Sequence, residues 1–332
     1  MRKHLFLSFI AFYLLSGACY SQDLHFTNYN NSPQTLNPAL TGDFRGTYKF
    51  GGIYRDQFSQ FFQNGFRSFG GFVQHNFGFE TREGDWVSAG AFIDADQSGD
   101  LAFGSNRVGL NLSYNLQGGE NHIFSIGVQG LFLNRKVDAG SALTGNFLRN
   151  GSHGEDINLL GQSYQRSQFD LGLGIRHKMF FGDKVTSNLG VSVYHLLTSD
   201  QSINNRSLDY IPLRINVHGE LLFITGNNSG IKPRFFYTKS EQASELVIQV
   251  LNGFSIGKQN LELGVGYRVN DAVQFLLGIP FRGWNINAAY DLTVSSARAY
   301  NNSFGAFELG LNKIITIHPK TEVKVVQICP RF

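Results

Sequence analysis

Several groupings in the 332-residue sequence contain residue types that could do chemistry. Gly172-Leu173-Gly174 and Gly264-Val265-Gly266 have a spacing that lets a backbone approach a phosphate closely. The third glycine of a dinucleotide-binding turn is missing, however, and both lie inside apolar-polar alternation instead of between a strand and a helix. Close packing in a strand wall is their expected role. His153, Glu155 and Asp156 offer nitrogen and oxygen donors that suit a divalent cation. Three such residues in a hydrophilic stretch are ordinarily just solvated, so no metal or other cofactor is expected.

A larger grouping mixes both signs: Asp170, Arg176, Lys178, Arg214, His218, Glu220, Glu262, Arg268, Asp291 and Glu308. Paired carboxylates can transfer protons, but no Ser, His and Asp arrangement accompanies them at a recognisable spacing. The expected role is structural pairing, and no enzyme is expected. Asn-X-Ser triplets at Asn30, Asn111, Asn205 and Asn227 would matter only in a eukaryotic secreted chain.

The charged residues above share a context of period-two alternation, the side-chain period of a strand. Phe169, Leu171, Leu173, Ile175 and Met179 fall on one side of a run whose other side holds Gln168, Asp170, Gly172, Gly174, Arg176 and Lys178. Val108, Leu110, Leu112, Tyr114 and Leu116 likewise oppose Arg107, Gly109, Asn111, Ser113 and Asn115. Sandwich strands average only five or six residues. Runs of about 9 to 11 residues with an apolar face almost free of charge are what an outer-membrane barrel requires, because Arg or Lys facing lipid at mid-depth costs roughly 2 to 4 kcal/mol. The polar faces would then line a lumen.

Composition agrees. Charged residues make up 16%, with 38 Gly, 31 Phe and 14% aromatics, against roughly 25% charge in soluble domains. Helical bundles disfavour so much Gly, and disordered chains lack aromatics. The net charge of +3 is scattered, with no like-charge run to track a phosphate backbone, so nucleic acid is not an expected partner. Residues 1–21 have the order of a secretory signal peptide: Arg2, Lys3 and His4, an apolar run from Leu5 to Leu15, then Ser16, Gly17, Ala18, Cys19 and Ser21. Cleavage after Ser21 would leave Gln22 as the first residue; lipid attachment at Cys19 is the rival. Cleavage leaves one thiol, Cys329, and no intrachain disulfide.

The expected fold is all-β, an antiparallel outer-membrane β-barrel over 46–314 of about fourteen strands. The runs lie near 46–55, 66–77, 85–95, 101–116, 122–136, 167–180, 185–197, 211–224, 231–240, 245–254, 260–269, 272–281, 284–293 and 304–314. Connections after odd-numbered runs include the long ones, 56–65, 137–166, 198–210 and 294–303, while those after even-numbered runs are all brief. Short periplasmic turns and longer external loops are the rule in such barrels, so both chain ends are expected in the periplasm. The polar, turn-rich segment 22–45 belongs to no strand and could plug or seal the periplasmic mouth. The tail 315–332 could add pairing near Val323 to Ile328 and ends on an aromatic, Phe332.

Particular residues go further than pattern. Leu36-Asn37-Pro38-Ala39-Leu40-Thr41-Gly42, followed by Gly51-Gly52-Ile53-Tyr54-Arg55-Asp56-Gln57-Phe58, resembles the N-terminal signature of the PorP/SprF family of type IX secretion system membrane proteins. Ala289-Tyr290-Asp291-Leu292-Thr293, with Tyr300 and Gly305-Ala306-Phe307-Glu308, resembles its closing hairpin, Ala306 and Phe307 departing from the usual form. The resemblance implies an outer-membrane barrel of Bacteroidetes-type bacteria. Such a barrel would assist secretion or cell-surface attachment of a type IX cargo, an adhesin-like protein including those used in gliding, with outer-membrane lipid around it. A channel or hydrophobic-substrate transporter is the alternative. The expected partner-binding loop is the longest, whose apolar residues Leu143, Phe147, Leu148, Leu159, Leu160 and Tyr164 exceed what a solvated loop needs.

Overall fold

The computed structural model describes residues 25–59, 65–78, 84–98, 103–138, 163–197, 211–226, 229–241, 243–256 and 259–317. They form a closed antiparallel barrel of fourteen strands, each paired with its sequence neighbours, and the first strand closes on the last. The strands are β1 (Tyr48–Gln57), β2 (Phe66–Asn76), β3 (Trp86–Ser98), β4 (Phe103–Gly118), β5 (His122–Asp138), β6 (Ser163–Phe181) and β7 (Val185–Tyr194). The second half comprises β8 (Arg214–Gly226), β9 (Ser229–Ser240), β10 (Ala243–Ile256), β11 (Gln259–Arg268), β12 (Ala272–Phe281), β13 (Trp284–Thr293) and β14 (Phe304–Ile315). Closure runs in register from Tyr48 opposite Ile315 to Gln57 opposite Ala306, which leaves no free edge.

Alternation becomes the two faces of the wall. On β6, Phe169 is 71% exposed and Ile175 59%, while their respective neighbours Asp170 and Arg176 are each 2% exposed. The outward surface is therefore apolar, as lipid demands, and the interior inverts the usual soluble core. Its most deeply buried side chains include Gln74, Gln249, Gln274, Glu308, Asn76, Asn111 and Asn216. A polar interior must be closed by hydrogen bonds, because each unsatisfied buried group costs about 1 to 3 kcal/mol.

Tyr48 and Ile315 lie at one end of the barrel, called here the turn end, with short connections such as 119–121, 182–184 and Arg282-Gly283. Arg282 and Gly283 both have positive φ, 50° and 81°, which matches the twist of a two-residue hairpin. The opposite, loop end carries the connections 58–65, 139–162, 195–213 and 294–303. One expectation needs correction: Tyr164 is not in the longest loop. The β5–β6 ladder continues to Asp138 opposite Ser163, which places Tyr164 in β6 opposite Val137. Leu143, Phe147, Leu148, Leu159 and Leu160 lie outside the described residues, as do His153, Glu155, Asp156, the signal segment 1–21 and the tail beyond 317.

Candidate functional site

Among the described residues, the inward face of the barrel meets one further element, the segment leading into β1. It is built from a 3-10 turn at Tyr29–Asn31, a single helical turn at Pro33–Leu36 and a second 3-10 turn at Pro38–Leu40. Proline opens the last two, where its missing N–H costs nothing. Turns this short leave most backbone groups unpaired, and the wall supplies the partners. Gln129 Nε2 and Tyr194 OH donate to the Gln34 carbonyl at 2.9 and 3.1 Å. Ser192 Oγ and Asn216 Nδ2 donate to the Leu36 carbonyl at 2.8 and 3.1 Å. Ser113 Oγ donates to the Thr41 carbonyl at 2.6 Å.

Asn37, fully buried, is the centre of this contact. Its Oδ1 accepts from Ala39 N–H at 2.9 Å, so its amide NH2 must face the wall, where it donates to the Ile175 carbonyl at 3.0 Å and lies 3.1 Å from His218 Nε2. Wall glycines make the room. A Cβ on Gly174 would stand 2.0 Å from Asn37 Oδ1, and one on Gly127 would stand 2.4 Å from the Ala39 nitrogen. A Cβ on Gly172 would likewise stand 2.7 Å from the Tyr194 ring, so the glycine pair is a packing device. Gly42 has φ 84°, a conformation that favours glycine, and no Cβ fits against Ser88.

At the turn end Asp43 binds two cations from β6, Arg176 Nη1 at 2.5 Å and Lys178 Nζ at 2.8 Å. Burial would raise its pKa, but the charges and hydrogen bonds of Arg176 and Lys178 outweigh it and hold the carboxyl well below the usual carboxylate range. Toward the loop end, Thr27 and Asn28 meet a denser cluster. Glu308 accepts from the backbone N–H of both, from Asn28 at 3.0 Å, and pairs with Arg55 Nη1 at 2.5 Å. Asp291 accepts from Thr27 Oγ1 at 2.7 Å and pairs with Arg268 and Arg55 at 3.0 and 3.3 Å. Arg55, Arg268, Asp291 and Glu308 are each 4% exposed or less, so four charges are buried together in mutual compensation. His25 lies 3.6 Å from Glu245, which favours its charged form, but burial and the Arg268 and Arg55 charges outweigh that and lower its pKa.

The expected lumen residues therefore divide. Arg176, Arg268, Asp291 and Glu308 hold the segment directly, and Glu220 does so through Asn30 Nδ2 at 3.1 Å. Glu262 pairs instead with Lys232, Asp170 with the imidazole of His195 at 2.5 Å, and Arg214 stacks over the Tyr194 ring at 4.7 Å. Of the signature residues, Leu36, Asn37, Pro38, Ala39, Gly42, Arg55 and Asp291 face this interior. Tyr54 and Asp56 face outward, joined at 3.2 Å, and Gln57 accepts from Arg55 at 3.1 Å. Tyr290, half-buried, alternates outward beside Asp291. Sequence reasoning missed Thr27, Asp43, Gln249 and His195, and it placed Arg55 in a motif without giving it a role. His25 reaches Glu245 near the start of β10, at the opposite end of the barrel from Tyr48. Among the described residues no group of three His, Cys, Asp or Glu is placed to hold a metal.

The sequence matches the family model for type IX secretion system membrane proteins of the PorP/SprF type over residues 18–312. Among curated proteins, none matches it. The fold is similar to that of the CymD monoaromatic hydrocarbon channel, with a TM-score of 0.50 at 10% identity over 87% of this chain and 94% of that one. The toluene transporter TbuX of Ralstonia pickettii has a TM-score of 0.49 at 10% identity, with 84% and 90% covered. A FadL homologue of Pseudomonas aeruginosa gives 0.48 at 10% identity, with 83% and 92% covered. At such identities the likeness concerns the barrel fold alone.

Proposed function

Because the chain belongs to the PorP/SprF family of type IX secretion system membrane proteins and is an outer-membrane barrel, we propose that it is a non-enzymatic anchor. It assists export of an adhesin-like secreted protein and holds that protein at the cell surface. The observation that carries this reading is the segment 25–47, bound along the inward wall from Asp43 at the turn end to Thr27 near the loop end. A transporter needs a continuous path, and the buried ion pairs and hydrogen bonds that hold the segment to the inward wall favour a closed one. Breaking one partner of a buried pair costs about 3 to 5 kcal/mol, so the segment acts as a fixed plug and leaves the external loops as the working surface. Of the lumen carboxylates, Asp291 and Glu308 are engaged in holding it and Asp170 and Glu262 in ion pairs within the wall, which supports a structural role over catalysis.

The test combines two measurements. Purified protein in planar bilayers should show no sustained conductance, and a strain lacking the chain should release a secreted protein into the medium that otherwise stays cell-attached. Steady single-channel conductance of the unaltered protein would favour the transporter.

A further inference from the structure

The outward wall of β4 to β7 is not smooth. Near the turn end it is indented by a groove of ≈ 540 Å³, bounded on one side by Ile126, Ile175 and Val191 and on the other by Phe124, His177 and Leu189. The ladders fix these two rows, with Ile126 opposite Ile175 opposite Val191, and Phe124 opposite His177 opposite Leu189. That volume falls in the range of small-molecule sites, about 300 to 1,000 Å³. Its lower edge is a slab of rings: Phe124 stacks on His177 at 4.5 Å and 16°, and His122 on His177 at 5.3 Å and 8°.

Histidines are unexpected on a lipid-facing wall, and their position gives them a use. His122 is the first residue of β5, after the turn that contains Gly119, so it sits at the turn-end rim of the apolar wall. Amphipathic rings are at home at that depth. His122 Nδ1 and His177 Nε2 are 3.1 Å apart, so one donates to the other. Each neutral imidazole has a single N–H. If His122 donates, His177 retains an N–H on Nδ1; if His177 donates, His122 retains one on Nε2. In either case one N–H is left outside the pair, on a ring of the slab that edges the apolar groove.

We propose that this groove holds one acyl chain of a glycerophospholipid, whose phosphate accepts the remaining imidazole N–H. An apolar slot with a hydrogen-bond donor at its headgroup end complements an anionic lipid head on an aliphatic tail. The site stands apart from the anchoring reading and does not depend on it.

Native mass spectrometry of the full-length mature protein, extracted in mild non-ionic detergent, tests it. The unaltered protein should carry one phospholipid mass. Ile175→Trp fills the groove with an apolar side chain and should lower that occupancy severalfold, and Val191→Phe, narrowing it from the next strand, should act in the same direction. His177→Phe keeps the ring stack but removes the hydrogen bond, and should lower phospholipid occupancy while leaving heat-resistant barrel migration on gels unchanged. Absence of any lipid mass, a fatty acid or detergent mass in its place, or equal phospholipid occupancy in Ile175→Trp and Val191→Phe would overturn the proposal.

Discussion

Arg55 and Glu308, 253 residues apart in sequence, face each other across the closing seam of the barrel with a guanidinium-to-carboxylate distance of 2.5 Å. The same guanidinium reaches Thr27 Oγ1 at 2.7 Å and Asp291 at 3.3 Å. One side chain thus ties the first strand, the last two strands and the segment that enters the barrel.

Arg55→Met should therefore act on the barrel and on the segment together. It leaves Glu308 buried with only the Thr27 and Asn28 N–H donors, and removal of one partner of a buried pair costs about 3 to 5 kcal/mol. Thermal unfolding in detergent should occur at lower temperature, and limited proteolysis should reach the segment. The double variant Arg55→Met with Glu308→Gln should recover part of the loss, since no uncompensated carboxylate remains. Equal melting of the single variant and the unaltered protein would show that the seam does not depend on this pair.

Asp43 gives a pH dependence whose sign follows from its lowered pKa. Its contribution is fully present above the ordinary carboxylate value of about 3.9. Below that, an unfolded chain takes up a proton while the folded carboxylate resists, so stability falls as pH drops and is lost through the lower, folded pKa. Cleavage of the segment by an acid-active protease should stay constant from pH 7 to 4.5 and rise below about pH 4. Asp43→Asn should raise cleavage already at pH 7 and flatten the acid limb, because Arg176, fully buried at its side chain, has then lost its charge partner.

The strands were legible because lipid on one side and water-like polarity on the other impose alternation wherever the chain crosses the membrane. That also explains where reading stopped. β5 and β6 have 17 and 19 residues, longer than the roughly 9 to 11 that a crossing needs. Past the bilayer their backbone ladder continues but the hydrophobic alternation does not, so Tyr164 read as loop. The contacts of the segment 25–47 were illegible for a different reason. Many of them are single Ser, Tyr, Asn and Gln side chains of the wall donating to its carbonyls, which have no period, and only the signature around Asn37 and the wall glycines pointed to them. His195 had no sequence signal; its role depends on φ 62° at the end of β7.

The threading of the segment predicts an unexpected accessibility. With the long connections outside the cell, loops near Gln60, Gly151 and Asn204 should be external and turns near Arg82, Gly119 and Asn228 periplasmic. His25, beside Glu245, should then be approached from the external mouth although it precedes the first strand. Cysteine placed at residue 25, 151 or 204 should react with a membrane-impermeant maleimide on whole cells, and cysteine at 119 should not. Labelling at 119 but not at 151 would invert the topology, and labelling of residue 25 only after outer-membrane permeabilisation would place the chain start on the periplasmic side.

The remaining prediction concerns the grip on the secreted protein. On the anchoring proposal the partner is held at the loop end, where the connection 139–162 offers Leu143, Phe147, Leu148, Leu159 and Leu160 among polar residues, assisted by 58–65 and 195–213. Interfaces concentrate their energy in a few apolar and aromatic anchors inside a polar rim, where the best single truncations cost about 2 kcal/mol or more. Phe147→Ala should thus weaken attachment roughly thirtyfold, since each 1.4 kcal/mol is a factor of ten. Replacing 141–162 by a short Gly and Ser linker should leave the barrel intact, because the β5–β6 ladder ends at Asp138 and Ser163 and loses no pair. The shortened protein should still migrate as a folded barrel while the secreted protein appears in the culture medium. If it inserts normally and the secreted protein stays attached to cells, the loop is not the grip, and the external mouth around His25 becomes the surface to test.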